Sequence, residues 1–448
     1  MAEALVLSLC MFPDMYRELA VVLICVSIVR LIHKIGNGSF FLELIYVYSA
    51  FTCLLMPLVG YVYFPKSDFL SATWVRYMPI PEQQYYSFNL PALICMGWGF
   101  FLFRRNTPDN SSVINPIVQK IRKDILQVPP AVIIALVLVS LFAYSISGYL
   151  PPSLQQVNTF LYFSLFAGFF YVIFYKDFPA KKLVIIGIIF FLLFDSIKSG
   201  MFTIIAYMGG LFMILLLAGR KILISQKILF ISVCLLFIVF LQLFKLDLRQ
   251  ARKKGNDPGI AEVATRVVNN AQSSSFKQIL FPLYYRMNQG YNIALVQKRI
   301  PTRVEYLGGN NLFLSFVSAF VPRLFWPDKP EAGGKANMKL YVGVEIRSWS
   351  TNVGPLGEAY GSFGYIGGWV YLLIFGLFIQ KSYTFFIGLC KKRPVLFLWM
   401  PPIFFQTVYV TETDSLQAFN SLIKGAIFMF IMFRMIPSLF PSHNESTV

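Results

Sequence analysis

The stretch PPAVIIALVLVSLFAYSISGY, residues 129–149, contains no Asp, Glu, Lys, Arg or His over twenty-one positions. As a helix rising 1.5 Å per residue it would extend about 30 Å, the thickness of a bilayer's hydrocarbon core. The same texture recurs through the chain. Of 448 residues, 57% are hydrophobic and 13% charged, with a mean hydropathy of +0.63, well beyond the roughly 45 to 50% apolar content of soluble domains. Charge is confined to short islands between apolar runs, which read as loops between spans.

Apolar runs bounded by charge, Pro or Gly predict helices near 15–33, 40–63, 88–103, 128–149, 157–175, 183–198 and 200–218, then near 228–245, 366–388, 395–410 and 417–437. The expected architecture is therefore an all-α polytopic membrane protein with about eleven transmembrane helices, within a range of ten to twelve. Its divisions are an N-terminal helical block (1–245), a large external loop (246–365), a C-terminal helical block (366–437) and a short cytoplasmic tail (438–448). The start lacks the basic region, apolar run and small-residue site of a cleavable signal, so the first helix is expected to stay.

Orientation follows from the cations. Arg30 with Lys34, Arg104-Arg105 with Lys120-Arg122-Lys123, Lys176 with Lys181-Lys182, Arg220-Lys221 with Lys227, and Lys391-Lys392-Arg393 fall after alternate helices if the N-terminus lies outside. A net charge of +18 would suggest nucleic acid in a soluble chain, but here it is the ordinary excess of cytoplasmic loops, and no nucleic-acid partner is expected. The six cysteines form no CxxC pair and read as small core hydrophobes.

The 246–365 loop departs from that rule. Between Arg249 and Glu358 it carries fifteen Lys and Arg, with about half as many carboxylates. Long loops cross irrespective of charge, so the orientation stands, and a basic external surface suits anionic groups at headgroup level. Phe281 to Tyr285 and Asn311 to Trp326 are apolar, aromatic and too short to span, as interfacial or re-entrant helices would be. Asp195 and Lys198, three residues apart, would share a helix face inside the membrane as an ion pair or a substrate contact.

The most informative run is Pro322-Arg323-Leu324-Phe325-Trp326-Pro327-Asp328-Lys329-Pro330, where two cations sit six residues apart on a Pro-bounded turn. Tyr285-Arg286 and Gly308-Gly309 precede it, and Gly354-Pro355-Leu356-Gly357-Glu358-Ala359-Tyr360-Gly361-Ser362-Phe363-Gly364 follows. Over roughly residues 280 to 370 these motifs resemble the oligosaccharide repeat-unit polymerases of O-antigen type (Wzy-type). The resemblance implies a glycosyltransferase-C-like enzyme of the bacterial inner membrane, with its site facing the periplasm and no metal or other cofactor. Such an enzyme would move a growing glycan from its undecaprenyl pyrophosphate carrier to the next lipid-linked repeat. Its implied partners are those lipid-linked glycans, membrane lipids and a chain-length regulator.

Displacing pyrophosphate from an anomeric carbon needs positive charge where negative charge develops, and no outward DxD-type metal motif is evident. Arg286, Arg323, Lys329 and Arg347 are the expected pyrophosphate ligands, with Glu358, Arg323 and Lys329 expected to be catalytic. Trp326, Asn352, Tyr360, Lys198 and Asp195 are candidate substrate contacts. His33 and His443 both fall on the cytoplasmic side, so the base candidates are Glu358, then Glu412, Asp414, Glu345 and Asp195. Glu412 and Asp414 flank a short turn between helices and are expected to be solvated. Two other readings stay open: a transporter of lipid-linked glycans, and a ligase making a single transfer.

Overall fold

A computed structural model describes residues 12–102, 110–199, 222–253, 259–321, 325–346 and 351–441, together with isolated positions 7, 209, 213, 215, 217 and 220. The described residues form helices and connecting turns with no strand; Gly38 and Asn110 make one isolated bridge. The long helices are α1 (Tyr16–Lys34), α2 (Phe41–Tyr63), α3 (Glu82–Phe101), α4 (Ser111–Asp124), α5 (Pro130–Ile146), α6 (Pro152–Phe174), α7 (Lys181–Ser199) and α8 (Ile224–Lys253). Four shorter ones follow: α9 (Ile260–Ser273), α10 (Phe276–Met287), α11 (Gly290–Arg299) and α12 (Asn310–Phe320). The chain closes with α13 (Gly354–Lys392), α14 (Met400–Val408) and α15 (Ser415–Met435).

Among the described residues, six helices are long and apolar enough to cross a bilayer: Phe41–Tyr63, Pro130–Tyr149, Leu154–Phe174, Ile224–Lys245, Gly354–Lys392 and Ser415–Met435. Their outer faces are large apolar side chains left exposed, among them Leu138, Phe142, Leu236, Ile374 and Phe430. Apolar faces this extensive mark a membrane or partner surface.

Of the eleven expected spans, those near 15–33, 88–103 and 183–198 form helices that are not among these six, and two others come out differently. The region expected as a span near 395–410 is a 3₁₀ segment, Pro394–Trp399, followed by the nine-residue α14. Pro394, Pro401 and Pro402 each remove a backbone donor, so one continuous helix cannot form. The helix expected near 366–388 begins twelve residues earlier, at Gly354. The expected helix at 200–218 lies outside the described residues, apart from isolated positions. The tail also begins differently: Pro437–Leu439 turns back under the bundle, where Tyr171 OH donates to Leu439 O at 2.5 Å and Phe440 packs on Trp399.

Pro57 interrupts α2, whose turn at Phe51–Leu55 widens to π geometry. With no amide on Pro57, the carbonyl one turn back, Cys53 O, loses its helical donor and instead accepts from Tyr85 OH at 2.7 Å; Tyr86 OH caps Leu54 O at 2.9 Å. These two hydroxyls lock α2 to α3. α3 in turn packs on α13 at backbone distance, since a Cβ at Gly99 would lie 2.4 Å from Leu373 O and one at Gly376 2.5 Å from Met96 O.

A second set forms around α5, α6, α12, α14 and α15. Asn158 Nδ2 donates to Ala143 O between α6 and α5, Phe316 meets Phe419 edge-on between α12 and α15, and Ser421 Oγ donates to Ile403 O between α15 and α14. α14 joins the two sets, with Phe404 on Phe41 and Phe405 on Phe163.

The two ends of the bundle differ. At one, Lys34 reaches Asn110, Lys227 reaches Ile32 O, Lys181 caps Ile173 O and Tyr175 O, and Arg393 donates to Phe440 O. At the other, Arg17 pairs with Glu82, and the segment from α10 onward folds back into the helices. Much of that expected loop is core: Ile293, Ala294 and Val296 of α11 are fully buried, and a Cβ on Gly290 would strike Pro57 and Tyr85.

Candidate active site: a buried carboxylate pair

Gly364, at φ 70° and ψ −148°, breaks α13 so that residues 354–363 form a separate short helix. That conformation is open to glycine and strained for other residues. Glu358 sits on this short helix and is 3% exposed. Its Oε1 accepts from Asn337 Nδ2 at 2.8 Å, and its Oε2 accepts from Ser415 N at 2.9 Å and Ser415 Oγ at 2.6 Å. Tyr371 OH, on α13 beyond the break, donates to Ser415 Oγ at 2.7 Å.

Asp414 precedes Ser415 and caps α15, its Oδ1 accepting from Gln417 N at 2.6 Å. Its Oδ2 accepts from Gly333 N at 2.7 Å and Asn352 Nδ2 at 2.9 Å. Asn337 Nδ2 joins the two halves, reaching Asn352 Oδ1 at 3.2 Å as well as Glu358. Burial raises Asp414 above the usual carboxylate range, while the bonds from Gln417, Asn352 and Gly333 work the other way. Every donor to the two carboxylates among the described residues is neutral, so an anion is held here by dipoles alone.

The turn 409–414 is therefore not solvated, contrary to expectation. Val410, Thr411, Thr413 and Asp414 are all buried, because the short α14 ends within the bundle and the turn packs on α2 and the start of α13. Thr411 Oγ1 lies 3.2 Å from Thr52 Oγ1, and a Cβ at Gly354, whose φ is 70°, would lie 2.3 Å from Thr411 O. Glu412 accepts from Tyr48 OH and pairs with Arg286 at 3.0 Å.

The remaining expected site residues scatter. Arg286 pairs with Glu412 and keeps about half of its side chain exposed. Lys329 is buried, its Nζ donating to Ser318 O at 3.1 Å and Val321 O at 2.8 Å at the end of α12. Trp326 is half-buried on the same turn. Tyr360 is buried among the rings of Phe88, Tyr306 and Tyr365. Asp195 accepts from Tyr162 OH at 2.8 Å, in helices remote in sequence from the pair. Glu345 is exposed, and the Lys339 ammonium hydrogen-bonded to it at 2.7 Å holds it below the usual carboxylate range. Arg323, Arg347 and the Lys198 side chain lie outside the described residues.

Asn337 and Ser415 were not expected at the site. Asp414 with Gln417 three residues on is a capping pattern, so the sequence does carry a signal for the capping role of Asp414. Asn337 carries no such signal, since it arrives through a turn of four residues, Gly334–Asn337.

A family model matches residues 39–436, nearly the whole chain and all of this site. The chain belongs to the DUF8712 family, described as a domain of unknown function. No curated protein and no solved structure matches it. The DUF8712 match spans α2 through α15, so the two helix sets and the carboxylate pair between them belong to one family unit.

The Arg286–Glu412 contact gives a first test. Arg286 is about half exposed at its side chain, which screens the pair, so a double-mutant cycle with Arg286→Met and Glu412→Gln should return a coupling of about 1 kcal/mol. Thermal unfolding of the four proteins in detergent measures it, and strict additivity would mean that the contact holds nothing.

Proposed function

We propose that this chain is an integral membrane glycosyltransferase that joins lipid-linked oligosaccharide repeat units, with its site facing the periplasm of the bacterial inner membrane. The observation that carries this reading is the buried pair Glu358 and Asp414, linked through Asn337, Asn352 and Ser415 beside a basic segment whose motifs resemble repeat-unit polymerases. Six membrane-length apolar helices support the location, and Lys34, Lys181, Lys227 and Arg393 at the opposite end support the orientation.

In this reading Glu358 takes the proton of the acceptor hydroxyl. The oxygen lone pair forms the new bond to the anomeric carbon as the bond from that carbon to the carrier's pyrophosphate oxygen breaks. The pyrophosphate leaves with the bonding electrons, and the proton on Glu358 passes to water. Two carboxylates close together resist double ionisation, which suits one of them to accept a proton. Arg323 and Arg347 are the cations assigned to the leaving group, because Arg286 and Lys329 already hold other oxygens.

The transporter reading draws on polar groups within apolar helices, Asp195 with Tyr162 on α7 and α6 and Lys424 on α15. Purified protein supplied with undecaprenyl-pyrophosphate-linked repeats separates the readings. A ladder of longer lipid-linked glycans, lost in Arg323→Ala, is the expected result. A single addition to another acceptor indicates a ligase, and no new linkage removes both enzyme readings.

A further inference from the structure

Asn352 joins the two carboxylates through its side chain, with Nδ2 on Asp414 and Oδ1 accepting from Asn337. Its Oδ1 also accepts from Val353 N at 2.9 Å, which ties the side chain to the backbone beside it. That backbone is held in turn from α11. Gln289 Nε2 donates to Asn352 O at 2.7 Å, and Asn292 Nδ2 donates to the same oxygen at 3.0 Å. Asn292 Nδ2 also reaches Thr351 Oγ1 at 2.7 Å and Gln289 Oε1 at 3.1 Å.

The two donors stand on a fixed base. Gly290, between them in sequence, lies so near α2 and α3 that an added Cβ would fall 2.2 Å from Pro57 Cγ and 2.3 Å from Tyr85 OH. A second segment meets the same stretch of backbone. A Cβ on Gly334 would lie 1.5 Å from Thr351 O, and the preceding amide, Gly333 N, donates to Asp414.

The orientation of Asn292 shows which end of its amide matters. Its contacts are a carbonyl and an amide oxygen, which can only accept, and one hydroxyl, so the donor end must face them. Its Oδ1 is left buried with no donor among the described residues, although a buried acceptor ordinarily finds one. Turning the amide over would set that oxygen against Asn352 O and Gln289 Oε1. The hold on Asn352 prevails over a satisfied acceptor.

We propose that Gln289 and Asn292 are positioning residues of this site: together they hold the Asn352 carbonyl so that its side chain keeps its bonds to Asp414 and Asn337. Neither donates to a carboxylate itself. Their part in a reaction rests on the glycosyl-transfer reading, whereas their hold on Asp414 does not. Burial raises the proton affinity of Asp414, and the bond from Asn352 acts against it. Letting Asn352 swing away therefore raises that affinity further. Water entering beside Asp414 would lower it toward the ordinary carboxylate range, so a loosened fold gives the opposite sign.

The test reads Asp414 without turnover, on the full-length protein in detergent. Dicyclohexylcarbodiimide modifies a carboxyl in its protonated form, and fragmentation of the labelled peptide separates Asp414 from Glu412. The pH at which Asp414 labelling falls by half should rise by about half to one unit in Gln289→Met. Gln297→Met is the control. Gln297 lies on the same helix, fully buried, and neither of its amide atoms has a hydrogen-bond partner among the described residues, so the midpoint should stay where it was. An unchanged or lowered midpoint in Gln289→Met, no labelling of Asp414 there, or an equal rise in Gln297→Met would overturn the proposal. Should Gln289→Met fail to fold, Asn292→Leu removes the other donor to the same carbonyl and is read in the same way. Failure of both to fold, with Gln297→Met folded, would assign these bonds to the fold alone and overturn it too. A raised midpoint in a protein that never extends a glycan sinks the enzyme reading alone, and glycan extension with an unmoved midpoint sinks this inference alone.

Discussion

Glu358→Gln is expected to lower the rate of chain extension by about 10²- to 10⁴-fold, the usual contribution of a positioned general base. The substitution keeps shape and removes only the capacity to take a proton. One amide oxygen of glutamine can still accept from Ser415 N and Oγ, as Glu358 Oε2 does. The other end becomes a donor facing Asn337 Nδ2, which now donates to both Glu358 and Asn352. That mismatch costs about 1–2 kcal/mol unless the Asn337 amide turns over, and loss of a buried charge offsets part of it. Unfolding in detergent should therefore shift little while extension collapses. Polymer of normal length from Glu358→Gln would remove this residue from the chemistry and leave Asp414 as the base.

Gly354→Ala is expected to damage both the fold and the site. Two effects add at this position. Its φ of 70° is strained by about 1–2 kcal/mol for alanine, and the new Cβ would lie 2.3 Å from Thr411 O, a backbone atom that cannot rotate away. Relief requires the 409–414 turn to move off the start of α13, which separates Ser415 from Glu358. A loss of several kcal/mol in stability and at least 100-fold in extension is expected. Gly308 provides the control, because its φ is 71° and nothing lies within 4 Å of an added Cβ. Gly308→Ala should show the backbone strain alone, with extension retained. Equal effects of the two substitutions would show that the Thr411 contact is not what sets the site.

The contrast between legible and illegible features follows interaction range. Residues 129–149 declared their helix because every neighbour in sequence agreed with it, and the observed helix starts at Pro130, where a missing amide does no harm. Glu358 was singled out by its Gly-rich setting, yet that same glycine content hid the helix at 354–363, since glycine is a poor helix former when judged locally. What holds this helix is tertiary: Val353 and Leu356 are fully buried, and Tyr341 OH lies 3.0 Å from Ser362 Oγ. Lys329 read as a cation facing outward because nothing in its vicinity announced the two carbonyls at the end of α12 that it serves. The depth of Asp414 was hidden for another reason: α14 looks long enough to cross only if its prolines are ignored.

The double duty of α15 has a mechanical consequence. Its first residue, Ser415, hydrogen-bonds Glu358, its cap is Asp414, and further along Ser421 Oγ fastens it to Ile403 O of α14. Hydrogen bonds of 2.6 to 2.9 Å at its first residue tolerate little travel of the helix along its axis. The start of this helix is thus fixed by the site as firmly as the site is fixed by the helix.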